Sequence, residues 1–390
     1  MTRRNSRIEM PTGVSRRRFL GLTAAAAGGV VLSACGANAV TTTTAAATTT
    51  AGGAAATTTA GLTIPTTTIS SLTVGYNNPN RLLRAPLFIG QSQGFFEEVG
   101  ITELEVNDAD DPLPPTIAGS YHIALFDSDV LYAAEDRATS LGEPLGLKML
   151  NINLGSQPMI LLSAAGIENA DDLRGKRVSG GRPGLVNEAV AKFMLSELGL
   201  DWETDVIFTE MTGGSNDWIQ ALLTGQVDAS IGFSRHIPLV EGEGGNVLYQ
   251  EFRPSPQGGF GMLQSKIDED PGFPAAWAYA YIQAQRFVKT VDNRDEVARI
   301  LNEDHGIDLP PAFATVYELD AQVLSQDLGF DPVEMDDWLA FVAPFAEVPA
   351  DVAWRDYTDV SGLHVAQAAL GLPTNPSADL STGEELIANF

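Results

Sequence analysis

The sequence predicts an α/β fold in which parallel strands are covered by helices. From Leu72 onward, short apolar runs alternate with segments of helical period, and most of the runs end in loops rich in Gly, Asp, Asn or Ser. Hydrophobic residues make up 44% and charged residues 19% of the chain, which is enough apolar surface for an ordinary core.

The elements follow in order. Leu72-Thr73-Val74-Gly75-Tyr76 reads as a strand ending in a loop from Asn77 to Arg81. Ala85 through Glu98 reads as a helix closed by Gly100, with a strand around Leu104 to Val106. The apolar strand Ile123-Ala124-Leu125-Phe126 gives way to Asp127-Ser128-Asp129 and a helix through Ala138, and Leu147 to Leu150 is the next strand. A second series begins with Lys176 to Ser179, passes through Gly180-Gly181-Arg182-Pro183-Gly184, and enters a helix with Val186, Val190, Phe193, Met194 and Leu198 on one face. Val206 to Thr209, a loop over Thr212 to Ser215, a helix over Trp218 to Leu223 and the strand Ala229 to Phe233 continue the alternation. The tail from Pro274 is mostly helical, most clearly over Ala275 to Val288 and Pro332 to Ala343.

Ahead of this body stand two segments of different character. Ser15-Arg16-Arg17-Arg18-Phe19-Leu20 precedes an apolar stretch ending in Leu32-Ser33-Ala34-Cys35-Gly36, and Cys35 is the only cysteine. This resembles a twin-arginine export signal (residues 1–34) closed by a lipobox, with cleavage before a lipidated Cys35. The stretch Phe19 to Ala34 is short of the roughly 20 residues needed to span a bilayer. Residues 35–70 then form the anchor and a Thr/Ala-rich tether with no periodicity to bury, expected to be disordered with a reach of roughly 30 Å. With one cysteine there is no intramolecular disulfide, so the fold rests on its core.

Charge excludes one class of partner. The formal net charge is −27, and removing residues 1–34 takes away six arginines and one glutamate to leave −32. Such a field repels nucleic acid. At physiological salt it is screened within about 8 Å, so an anionic ligand in a closed pocket stays compatible with it.

Four segments carry a family likeness: Ala85-Pro86-Leu87-Phe88-Ile89 through Gly94-Phe95-Phe96-Glu97-Glu98-Val99-Gly100; Tyr121-His122-Ile123-Ala124; Leu173-Arg174-Gly175-Lys176-Arg177-Val178; and Ala221-Leu222-Leu223-Thr224-Gly225-Gln226-Val227-Asp228-Ala229. In this order they resemble the solute-binding proteins of nitrate/sulfonate/taurine-type ABC importers, a family that also holds binders of thiamine pyrimidine precursors. The resemblance spans roughly Leu72 to Pro373. It implies a two-lobed, type II-like periplasmic-binding-protein fold, each lobe a mixed, mostly parallel sheet flanked by helices. Lobe 1 takes residues 71–157, lobe 2 residues 158–257, and residues 258–390 return to lobe 1. It also implies a monomer that serves an ABC permease and ATPase, and a solute that is a sulfonate, another small anion or a pyrimidine-type heterocycle.

In such a fold the ligand lies where strand ends and helix starts of both lobes face one cleft. The expected contacts are Tyr76, Asn77, Phe88, Asp127, Ser128, Asp129, Gln157, Gly181, Arg182, Gly184, Gly213, Ser215, Phe233 and Arg235. Arg182, beside two glycines at a helix entrance, suits an anionic group or a surface salt bridge. Asp127 and Asp129 suit a cationic or amine-bearing ligand, or cap the helix they precede. The residues leave these alternatives open.

Enzymatic signatures are missing from the sequence. His122, His236, His305 and His364 lack metal-ligand spacing, and Gly213-Gly214-Ser215-Asn216-Asp217 is not a hydrolase elbow. Asp108 to Asp111 and Asp268 to Asp270 lack calcium-loop spacing. The expectation is a binding protein with no catalytic residue, metal or cofactor; a secreted enzyme on the same scaffold and a ligand sensor are the rivals.

Overall fold

The computed structural model describes residues 63–376, apart from 77–80, 110, 182–185, 312, 345–347 and 350. The expected signal, Cys35 and nearly all of the expected tether lie outside the described residues.

The first half of the body opens with β1 (Ser71–Tyr76), α1 (Arg81–Ser92), α2 (Phe95–Glu98) and β2 (Glu103–Asp108). It continues with α3 (Leu113–Ile117), β3 (Ile123–Asp127), α4 (Ser128–Ser140) and β4 (Leu147–Met149). The single helix expected over Ala85 to Glu98 is therefore two, separated at Gly94. The second half holds β5 (Leu154–Ser163), β6 (Arg177–Ser179), α5 (Val186–Glu197), β7 (Ile207–Thr209), α6 (Ser215–Leu223), β8 (Ala229–Gly232) and α7 (Ile237–Gly242). The chain returns along β9 (Asn246–Leu263) and finishes in α8 (Gln264–Glu269), α9 (Phe273–Lys289), α10 (Arg294–Arg299), α11 (Phe313–Ala321), α12 (Pro332–Val342) and α13 (Ser361–Ala369).

The strands form one continuous sheet in the order β2-β1-β3-β9-β5-β8-β6-β7, with β4 also on β9. The outer pairs are parallel, as the βα alternation requires. The centre is antiparallel: β9 runs against β3, β4 and β5, and β5 runs against β8. β5 and β9 are the long elements that sequence patterning did not single out, and they carry the chain between the two halves.

Their pairing changes at the crossing. Leu154 opposes Gly258 and Ser156 opposes Pro254, with a register shift between them. Pro254 and Pro256 lack N–H groups, so this stretch of β9 is where the ladder is weakest. Beyond it, an added Cβ at Gly259 would lie 1.7 Å from the Asn151 carbonyl oxygen, so only glycine permits this approach.

Each half has its own core. The first gathers Leu72, Val74, Phe126, Phe260, Trp277 and Tyr281, with the Phe260 ring edge-on to Trp277 at 4.9 Å. In the second half, β5 alternates. Met159 and Leu161 join Val178, Val190, Met194 and Trp218 on one face, while Ile160 and Leu162 join Ile219, Leu222 and Val240 on the other. Both faces are thus covered, which is why β5 reads as one apolar run.

The C-terminal segment touches both halves. α11 packs on α1 and α9, and also on the turn over Ser234–His236. α12 lies along β9 and α5, with Phe341 edge-on to Phe193 at 5.8 Å.

Candidate functional site

Tyr76 ends β1 with its side chain buried. Its hydroxyl donates to the Leu83 carbonyl at 2.6 Å, and its ring lies 6.2 Å from Phe260. Burial drives the phenol strongly upward in pKa, so the group stays neutral. Tyr76 is thus a strand-end residue whose hydroxyl is already bonded. Phe88 sits half-buried on α1 with its ring 5.0 Å from His305. Between the two lies Arg84, which sequence reading passed over: its guanidinium is 5.6 Å from the Tyr76 ring and 6.0 Å from that of Phe88. Arg84 is buried, pairs with Asp108 at the end of β2, and has a buried Nε without a partner among the described residues.

Asp127, Ser128 and Asp129 stand together at the junction of β3 and α4, beside the crossing strands. The Ser128 hydroxyl donates to the Pro256 carbonyl at 2.7 Å. Asp127 occupies the N-cap position of α4, and its side chain accepts no capping hydrogen bond, so the capping role expected of it is not made. Asp129 is 3% exposed, and its Oδ1 has no partner among the described residues. Burial pushes the Asp127 carboxyl up to about 6, and burial followed by the charge of Asp127 pushes Asp129 up to about 7. Backbone N–H groups of Asp129 and Val130 act in the opposite sense.

In the second half the 233–236 turn gathers several expected residues. The Arg235 guanidinium donates to the Ser215 hydroxyl at 2.7 Å and lies 4.9 Å from the Phe233 ring. Burial lowers the pKa of Arg235, and Asp320 on α11 opposes that shift by charge. This attraction reaches from the second half to a helix packed on the first. His236 Nδ1 accepts from the Phe233 N–H at 3.2 Å, so Nε2 carries the proton that it shares with Asn216 Oδ1 at 3.1 Å. Burial, with Arg235 adding to it, lowers His236 to about 3. Gly181 has φ 80° and packs against the Trp218 ring, where a Cβ would be 2.8 Å away. Gly213, at φ 87°, faces Asp217 across the start of α6.

Gln157 is fully buried on β5. Its Nε2 donates to Pro158 at 3.1 Å, and its Oε1 has no described partner. Asn77, Arg182 and Gly184 lie outside the described residues. The expected set thus resolves into three groups: Tyr76 with Phe88 about Arg84, Asp127 to Asp129 at the crossing, and Ser215 with Phe233 and Arg235. Arg84 announced itself only as a cation within the apolar run Leu82 to Ile89, and Asp320 had no local signal.

A cavity of about 480 Å³ lies beside the crossing. Gly155, Pro254 and Pro256 line it from β5 and β9, and Leu324 to Asp327 and Glu334 line it from the C-terminal segment. None of the expected contacts lines it. Burial, followed by the charges of Asp331 and Asp337, pushes Glu334 up to about 7.

Residues 83–267 match the NMT1/THI5 like family. The body has the fold of periplasmic solute-binding proteins. The nitrate-binding protein NrtA of Synechocystis PCC 6803 superposes with a TM-score of 0.62 at 15% identity, over 80% of this chain and 93% of that one. The alkanesulfonate-binding protein SsuA of Xanthomonas axonopodis pv. citri gives 0.53 at 15% identity, over 74% and 98%. The desulfurization enzyme DSZB gives 0.54 at 15%, over 77% and 99%. At these identities the likeness is one of fold. A Haemophilus influenzae protein named for thiamine biosynthesis is 30% identical over 189 residues, 46% of this chain. The chain spans about half the length of that relative (54%). Among the described residues no helix is long and apolar enough to cross a membrane.

Proposed function

We propose that this protein is an extracytoplasmic, lipid-anchored solute-binding protein that captures a small organic solute by closing two lobes around it and delivers it to an ABC permease and its ATPase. The observation that carries the reading is the crossing of β5 and β9, where the ladder shifts register at Leu154/Ser156 and the two halves keep separate cores. A strand pair whose ladder is interrupted between two separate cores is a place where the chain can bend, with the contacts of α11 and α12 to both halves adjusting as it does. Lobe 1 is taken as residues 71–157 with 258–390, and lobe 2 as residues 158–257.

Closure follows from differential contact. An open cleft offers the solute one wall, a closed cleft offers two, so binding free energy favours the closed form. The wall from lobe 1 is assigned to the ends of β1 and β3, and the wall from lobe 2 to Gly181, Ser215, Phe233 and Arg235. The body then acts as a binder that releases its ligand unchanged; the fold shared with DSZB leaves an enzyme as the rival reading.

Mass spectrometry of small molecules released on denaturing the purified protein tests this. A single organic solute recovered intact, which rebinds and compacts the protein in small-angle scattering, supports capture by closure. A chemically altered product on incubation supports the enzyme, and rebinding without compaction removes lobe closure.

A further inference from the structure

We infer that the Asp127–Asp129 pair is a recognition site for a cationic nitrogen group, an ammonium or amidinium borne by the solute. This rests on the solute-capture reading and deepens it by naming the ligand's charge. Three observations point the same way. Asp127 stands at a helix N-cap and leaves the cap unmade. Asp129 is more than nine-tenths buried, and its Oδ1 meets no donor among the described residues. Among the described residues, the charge that acts on Asp129 is the like charge of Asp127.

A buried carboxylate oxygen without a donor is costly, and a second carboxylate beside it adds repulsion. Holding a proton relieves this, in accord with the upward shift of both groups. A cationic N–H donor relieves it better, since it supplies both the hydrogen bond and the positive charge. On binding, the ligand's nitrogen keeps its own protons and the proton held by the pair passes to the buffer. Asp127 is the accessible member, being half-buried, and Ser128 between the two is bonded to Pro256 of β9. A ligand held here therefore touches the element next to the crossing strand. Around α4 the packed elements are β3, β4, β9 and the turn over Trp354–Tyr357. Of the charged groups on these elements, Lys148 donates to the Asp356 backbone carbonyl, Arg253 lies beside Glu251, and Arg355 pairs with Asp336.

The test uses the full mature chain and four probes: methylammonium, benzamidine, benzamide as its neutral near-isostere, and benzenesulfonate. Benzamidine is expected to raise the melting temperature at pH 8 and to bind at least tenfold tighter than benzamide or benzenesulfonate. Calorimetry at pH 6 in two buffers of different ionisation enthalpy is expected to show proton release on binding. Asp127→Asn and Asp129→Asn should each abolish the preference for the cation. Because the amide introduced by Asp129→Asn brings its own donor and carries no charge, that variant without ligand is expected to melt no lower than wild type at pH 8.

Preference for benzenesulfonate overturns the cation site and leaves solute capture standing. Equal binding of the three aromatic probes, or no response to either cation, overturns it too, whatever solute the released-ligand experiment recovers. Carbon NMR of the two carboxyls reads the pair with no ligand present. Titration of both in the ordinary aspartate range overturns the inference directly.

Discussion

The Ser128 hydroxyl donates a 2.7 Å hydrogen bond to the carbonyl of Pro256, tying the first residue of α4 to the strand that joins the two halves. Both residues are far apart in sequence, and the bond is buried. Removing it by Ser128→Ala leaves the Pro256 carbonyl without this donor. Urea denaturation should show a loss of about 1–3 kcal/mol. The same variant should loosen the crossing, read as faster hydrogen exchange at Leu154 and Gly258 than at core strand β1.

Tyr76 supplies a second prediction. Its ring is enclosed and its hydroxyl serves Leu83, so Tyr76→Ala should cost the unliganded protein about 3–5 kcal/mol through the cavity it leaves. Tyr76→Phe keeps the ring and removes only the hydrogen bond, for about 1 kcal/mol. Equal stability of the alanine variant and wild type would return Tyr76 to an exposed, ligand-facing role.

Stability should depend on pH through two opposing groups. His236 is lowered to about 3 from an ordinary 6.5, so the unfolded chain takes up its proton first and stability is lost as pH falls below 6.5. By pH 5 this amounts to about 2 kcal/mol relative to pH 7. Asp127 and Asp129 are raised, so their contribution is present in acid and is lost as pH rises through about 6 and about 7. Because the two limbs offset each other in wild type, the difference between variant and wild type is the informative quantity. His236→Gln should gain about 2 kcal/mol on wild type in going from pH 7 to pH 5, and Asp129→Asn should move in the opposite sense. A pH-independent difference for His236→Gln would place that imidazole in contact with solvent.

The N-terminal reading is tested in cells. Cys35→Ala should release the protein from the membrane or stall its maturation, because Cys35 is the only thiol in the chain. Metabolic labelling with a lipid analogue checks it. Equal label on wild type and variant would remove the lipid anchor from the proposal.

Much of the architecture was legible because it is local. The alternation of Leu72 to Tyr76, Ile123 to Phe126 and Ala229 to Phe233 with helix-period segments depends on side chains a few residues apart, and those strands form where the pattern places them. The helix break at Gly94 was missed because the apolar spacing runs straight through it, while backbone geometry ends α1 before it. β5 and β9 were missed as a unit because their pairing joins residues about 100 positions apart, and periodicity carries no information about that distance.

The candidate site divides in the same way. Sequence alone determined the α/β class and pointed to a fold that periplasmic solute-binding proteins share. It placed Asp127, Ser128, Asp129, Ser215, Phe233 and Arg235 at strand ends and helix starts, and they stand there in the structure. Tertiary structure alone decided which of these keep a free polar group. Tyr76 is spent on Leu83, Arg235 on Ser215 and the charge of Asp320, and Asp129 retains an oxygen that meets no donor among the described residues. Whether a side chain is satisfied depends on neighbours brought together by folding, and the cost of leaving it unsatisfied exists only once water has been removed.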